Sequence, residues 1–322
     1  MRTLSIQVSS RPLHRIFKEM CSSKGITSET CYKNNMVFKK YIQQYMGDKP
    51  LASITPHDCA AWLMKVRTDN PHLKNSTVHW ITRTFKSVFN YAVNMDYIIK
   101  SPARNLRVPL QQVSKEMVRD YVFHPDELSA FMKAASQHFM YPFFLTTLRT
   151  GMRVGEVIEL RWSDVYLTNV NSPYICVRRT AGRDHTKTYV ERNIPIMADL
   201  ADMLSLRWQT SKASKDDLVF ERRNPLKHRI EAFNKANISA FMNRFLKAAG
   251  IERRITFHAF RHTFCSALVA KGQDISTIQY LMGHSTMGTT MGYIHIWGDK
   301  SHLVNAITEL GNIGAITSDP AV

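Results

Sequence analysis

The chain has 322 residues, 44% of them hydrophobic, enough for a sizeable core and more consistent with two globular domains than one. Its net charge of +17, from 43 Lys and Arg against 26 Asp and Glu, favours a polyanionic partner, nucleic acid first, although solubility alone also explains such a surplus. No apolar run reaches the roughly 18 residues of a membrane span, MRTLSIQVSSRPLHRIF lacks a signal peptide's apolar stretch, and five scattered cysteines without a CxxC pair set zinc fingers aside, so a reducing, cytoplasmic setting without membrane contact is expected.

Residues 28 to 47, SETCYKNNMVFKKYIQQYMG, set Val37, Tyr41 and Tyr45 with Phe38 and Ile42 on one helical face and place Gly47 where a helix ends. A second helix is predicted from Thr55, an N-cap type followed by Pro56 at the first helical position and Asp58 where a capping box takes an acid. A third follows Ser76 and Thr77. In it Val78, Ile81, Phe85, Val88, Phe89 and Ala92 recur at three and four residues, while His79, Arg83 and Lys86 project elsewhere. Residues 1–107 hold 17 basic and 6 acidic side chains, so this helical piece is the more basic part, with Arg83 and Lys86 as candidate nucleic-acid contacts. From Ser101 to Asp120 two prolines, mixed charges and no sustained period read as a connection, with the linker proper set at 108–120.

A second domain starts near Val122. HPDELSAFMKAA carries Pro125 and two acids in a first turn, and YPFFLTTLRTG and RVGEVIELRW predict two more helices. The β-rich runs 174–180 (YICVRRT) and 188–196 (TYVERNIPI), separated by AGRDHTK, predict a hairpin with Lys187 at the start of the return strand. Helical patterns resume at 198–208, 237–249, 258–271 and 274–282. The fold class expected is mainly α with a small β-sheet.

Four separated segments carry candidate chemistry. Arg153 follows a glycine turn in TGMRVGE with Glu156 one helical turn on, which alone also describes a surface ion pair. Lys187 alone reads equally as a solvated lysine at a hairpin tip. HAFRH sets His258, Arg261 and His262 on one helical face. A zinc reading would use the two histidines, but Ala259 stands where the HExxH motif has its glutamate, and packing near a helix start is the plainer explanation. LMGHS ends a helix at Gly283, and Tyr293 lies nine residues beyond His284.

Two arginines, a lysine, two histidines and a tyrosine, in that arrangement and in a strongly basic chain, resemble the tyrosine recombinases, the phage integrase and Xer-type site-specific recombinases. The resemblance rests on TGMRVGEVIELRWSDV, on KTYVERNIPI, on HAFRHTF and on LMGHSTMGTTMGYIH. It implies an N-terminal all-helical core-binding (SAM-like) domain at 1–107, the linker at 108–120, and a mixed α/β catalytic domain at 121–322 with a C-terminal tail helix. It further implies that Arg153, Arg261 and His284 hold the scissile phosphate and that Tyr293 is the nucleophile. His258 would accept its proton, and Lys187 would be the general acid. Glu156 is expected to hold Arg153 rather than touch DNA, and His262 and His295 to serve structure. No metal or cofactor is implied. The implied partners are double-stranded DNA with specific recombination sites, three further copies in a homotetramer, and an accessory DNA-bending protein. Two rivals share parts of the pattern: a type IB topoisomerase, which would relax supercoils without exchanging strands, and a non-catalytic regulator, whose activity would survive Tyr293→Phe.

Overall fold

The structure is a computed structural model that describes residues 10–23, 28–108, 122–168, 172–181, 185–186, 190–224 and 229–291. Its contacts divide the chain into two units, Met1–Gln112 and Val113–Val322.

The first unit is helical. α1 (Leu13–Ser22) was not anticipated from the sequence, although Leu13, Ile16, Phe17 and Met20 recur at three and four residues and all are buried. Its N-cap is Pro12, which offers no side-chain cap, so the usual start signal is missing. α2 (Ser28–Phe38) continues through a π-helical turn, Lys39–Gln43, into a last turn, Gln44–Met46, and so differs from the single regular helix expected over 28–47. A π turn adds about one residue per turn. Met46 therefore takes the core position while Tyr45 stays half-buried, its hydroxyl donating to Asp69 at 2.6 Å. α3 (Pro56–Asp69) starts as predicted: Thr55 Oγ1 accepts from the Asp58 N–H at 3.1 Å and Asp58 Oδ2 accepts from the Thr55 N–H at 2.9 Å. α4 (Asn75–Asn94) buries Val78, Ile81, Phe85, Val88, Phe89 and Ala92, the six residues that the spacing selects. Trp62 stacks on Phe85 at 3.9 Å and donates its indole N–H to the Tyr41 carbonyl at 2.8 Å. Ala103 and Val108 are buried in the same core, although the stretch around them shows no period.

The second unit opens with α5 (Pro125–Ala135), α6 (Tyr141–Thr150) and the short α7 (Val154–Ile158). Three strands follow, β1 (Val165–Tyr166), β2 (Tyr174–Val177) and β3 (Arg192–Pro195), antiparallel in that order. β2 pairs with β3 from Tyr174↔Pro195 to Val177↔Arg192, which is the predicted hairpin. Among the described residues the return strand runs from Arg192, and beyond Val177 the outgoing leg turns to α7, where the Ala181 N–H donates to the Gly155 carbonyl at 2.8 Å; the expected start at 188 lies outside the described residues. Val190 and Glu191 are left outside the ladder and exposed. α8 (Ala198–Thr210) leads to a second hairpin, β4 (Glu221–Asn224) and β5 (Arg229–Ala232), then α9 (Lys235–Ala248), α10 (His258–Ala270) and α11 (Ile275–Met282). Neither β1 nor the second hairpin was predicted: β1 is too short to show a period, and ERRN and RIEA are charged where strands favour β-branched and aromatic residues. Phe131, Phe144, Phe245 and Phe260 interlock in the core where α5, α6, α9 and α10 meet. Among the described residues no helix is long and apolar enough to cross a membrane.

Candidate active site

α11 ends at Gly283, which caps it in the left-handed region at φ 59°. The turn so formed exposes the carbonyls of Met282 and Gly283 to the rest of the unit, and two arginines reach them from distant parts of the chain. Arg153, at the N-cap of α7, donates Nη2 to the Gly283 carbonyl at 2.8 Å. Arg261, from the first turn of α10 and only 2% exposed, donates to the Gly151 carbonyl at 2.7 Å and to the Met282 carbonyl. His284 follows directly, with Nδ1 2.9 Å from Thr290 Oγ1.

Behind the arginines lies Glu156, 1% exposed and fully paired. Oε1 accepts from Arg153 Nη1 at 2.9 Å, and Oε2 from the Arg153 N–H at 2.8 Å. The pairing with Arg153 is the one expected from the sequence. The tighter partner is Arg192, also 2% exposed, which gives Nη2 to Oε2 at 2.7 Å, Nη1 to Oε1 at 3.3 Å and Nε to the Leu281 carbonyl at 2.9 Å. Sequence reasoning missed Arg192. A signal was present: at the strand period of two it shares the face of Ile194, and that face is buried. Removing one partner of such a buried pair typically costs about 3 to 5 kcal/mol, because the other charge is left uncompensated. Burial pushes the Glu156 carboxyl up, but the charges and hydrogen bonds of Arg192 and Arg153 outweigh it and hold its pKa below the usual value.

Of the three guanidinium groups, those of Arg153 and Arg192 share the Glu156 carboxylate, while that of Arg261 reaches the carbonyls of Gly151 and Met282. The cluster has three guanidinium groups and one carboxylate among its described members. Its effect on His284 is visible: burial first, then the charges of Arg261, Arg153 and Arg192, push the imidazole down to about 4. Burial, with His258 and Arg261, likewise pushes His262 down to about 4. The three polar residues of HAFRH do not share one environment. His258, the first residue of α10, is exposed, Arg261 is buried, and His262 is half-buried with its ring 5.0 Å from that of His258. Among the described residues no group of three His, Cys, Asp or Glu is placed to hold a metal ion.

Tyr293, Lys187 and His295, and the tail helix expected near the C-terminus, lie outside the described residues. Arg83 and Lys86 lie on α4 in the first unit. Arg83 is exposed, Lys86 donates to the Arg104 carbonyl at 3.2 Å, and together with His79 and Arg107 they line a surface hollow of about 510 Å³.

A family model described as the phage integrase family matches residues 121–298, more than half of the chain, and one described as the phage integrase N-terminal SAM-like domain matches 13–66. The chain belongs to the phage integrase family. Its members, the tyrosine recombinases, cut and rejoin DNA strands, and the chain is an enzyme of that class, acting in site-specific recombination. It is 24% identical over 266 residues to a XerC-like tyrosine recombinase of Caldanaerobacter subterraneus subsp. tengcongensis, covering 73% of this chain and 66% of that protein. To the ICEBs1 integrase of Bacillus subtilis it is 24% identical over 318 residues, covering 92% of this chain and 81% of that protein. Among solved structures it is similar in fold to the Tn1549 transposon integrase in complex with a circular intermediate DNA, with a TM-score of 0.71 at 21% identity, covering 88% of this chain and 95% of the other. Arg153, Glu156, Arg192 and Arg261, from three of the integrase-family motifs, meet in one side-chain cluster beside His284, whereas His258 is exposed at the start of α10.

Proposed function

We propose that Arg153, Arg261 and His284 hold the scissile phosphate of a duplex recombination site while Tyr293 attacks it. The observation that carries this reading is the convergence of Arg153 and Arg261 on consecutive carbonyls beside His284, in a cluster with more guanidinium than carboxylate. A phosphate oxygen is a stronger acceptor than a neutral carbonyl, and planar guanidinium groups match the equatorial oxygens on which charge gathers during attack. Glu156 keeps Arg153 in place.

In the reaction so assembled, Tyr293 Oη forms a bond to phosphorus and gives its proton to His258. The bond from phosphorus to the 5′ oxygen breaks, and Lys187 protonates that oxygen. The product is a 3′-phosphotyrosyl link with a free 5′ hydroxyl. The link conserves the phosphodiester energy, so a 5′ hydroxyl of a partner strand reverses the step without ATP. The chemistry as written asks for neither metal nor cofactor. Four copies act on two DNA sites, with Arg83 and Lys86 of the first unit on the DNA backbone and an accessory protein to bend it. The related Tn1549 integrase, solved on a circular intermediate DNA, supports duplex DNA as the substrate.

Covalent trapping tests the reading. Wild type and Tyr293→Phe are incubated with labelled nicked duplexes from the DNA flanking the gene and run on a denaturing gel. A shifted band at a defined 3′ end, lost in Tyr293→Phe, is expected. Specific binding without any covalent band would favour the non-catalytic regulator, and supercoil relaxation without recombinant product the topoisomerase.

A further inference from the structure

The five-residue α7 does more than carry Arg153 and Glu156, because both legs of the β2–β3 hairpin are fastened to it. On the outgoing leg, Arg178 and Arg179 pair with buried Asp164 at 3.0 and 2.5 Å, and two residues later the Ala181 N–H donates to the Gly155 carbonyl at 2.8 Å. Thr180 fills the space above Gly155 so closely that a Cβ added there would stand 2.5 Å from Thr180 Oγ1. On the return leg, Arg192 opens β3 and is locked on Glu156, the very next residue of α7. Between the two fastenings Thr186, 1% exposed, donates Oγ1 to the Val190 carbonyl at 3.0 Å.

We propose that α7 is a two-point clamp on this hairpin, with Gly155 and Arg192 as positioning residues for the acid that protonates the leaving 5′ oxygen. The inference rests on the reading of Lys187 as that acid. The physical reason is economy of reference: Arg153 and both described legs of the hairpin are fastened to the same turn of helix, so a displacement of that turn is shared by the phosphate grip and the hairpin. A general acid contributes a factor of about 10² to 10⁴ only when it lies within hydrogen-bond reach of its target, so small shifts of the hairpin are felt in the rate.

The test uses the leaving group. In cleavage the electron pair of the broken bond stays on the 5′ oxygen, which then takes a proton from Lys187 Nζ. When that bridging oxygen is replaced by sulfur, the thiolate departs without protonation, so a defect in the acid disappears and a defect in the phosphate grip does not. Single-turnover cleavage of oxygen- and sulfur-bridged nicked duplexes is measured for Lys187→Ala, Gly155→Ala, the double variant Gly155→Ala/Thr180→Ala, and Ala181→Pro, which removes the donor N–H from the other side of the contact. Gly155→Ala and Ala181→Pro are expected to slow oxygen-bridged cleavage at least ten-fold and to fall within about three-fold of wild type on sulfur. Adding Thr180→Ala to Gly155→Ala is expected to restore the oxygen-bridged rate, because the next atoms are then 3.5 Å or more from the new Cβ. Equal slowing of Gly155→Ala and Ala181→Pro on both substrates, or no slowing on either, overturns the clamp. If sulfur rescues these variants but not Lys187→Ala, the clamp stands and the lysine assignment falls.

Discussion

His284 is the residue whose ionisation reports most directly on the arginine cluster. Burial and three guanidinium charges push it down to about 4, and His262 is pushed equally low by burial, His258 and Arg261. In the unfolded chain both histidines titrate near 6.5, so between that pH and about 4 the unfolded state binds more protons than the folded one. Their contribution to stability is therefore fully present above pH 6.5 and is lost as the pH falls toward 4. Urea unfolding midpoints measured from pH 7.5 to 4.5 should decline, and His284→Asn should decline less steeply; a variant slope equal to that of wild type would contradict this account. The residues differ in how far the sequence exposed them. Arg153, Arg261 and His284 stand in recognisable motifs, whereas Arg192 is signalled in the sequence only by sharing the strand face of Ile194, and its ion pair with Glu156 appears in the tertiary structure.

At the scale of elements, the closure of α11 decides where the arginines point. Gly283 lies at φ 59°, and a Cβ there would come within 2.8 Å of Arg192 Nη1. Gly250, at φ 70° after α9, has nothing within 4 Å of its added Cβ. Gly250→Ala should therefore cost only the backbone term of about 1 to 2 kcal/mol. Gly283→Ala should cost more, and should slow cleavage at least ten-fold by displacing Arg192 and the carbonyl that Arg153 holds. Paired unfolding and cleavage assays on the two variants check this, and equal losses in both would sink it. Elements with strong local rules were readable in advance: the Thr55–Asp58 capping box, the α4 stripe and the β2–β3 pairing all follow from residue type and period. α1 was missed for want of a cap signal, and β4 and β5 because charged strands of four residues resemble loops. The π turn after α2 has no local rule to announce it, and after it Met46 is buried while Tyr45 is half-buried.

At the scale of the whole molecule the governing quantity is charge. With a net +17 and basic residues in both units, binding to duplex DNA should release many counterions, so the affinity should fall by about 10³ or more between 50 and 200 mM salt if six or more phosphates are contacted. Fluorescence anisotropy at several salt concentrations measures the slope, and a flat dependence would argue against a phosphate-dominated interface. That charge, the mainly helical class with its small sheet, and the family itself are written in the sequence, because composition, short periods and contiguous motifs are local properties. Which groups meet is not local. Arg153 with Glu156, Arg192, Arg261 and the turn after α11 come from four segments, and their common site exists only because packing of α6 on α10 and of α11 on β3 brings those segments together. Burial and the neighbouring guanidinium charges then shift the histidine, an effect that depends on the local dielectric and so on the tertiary structure.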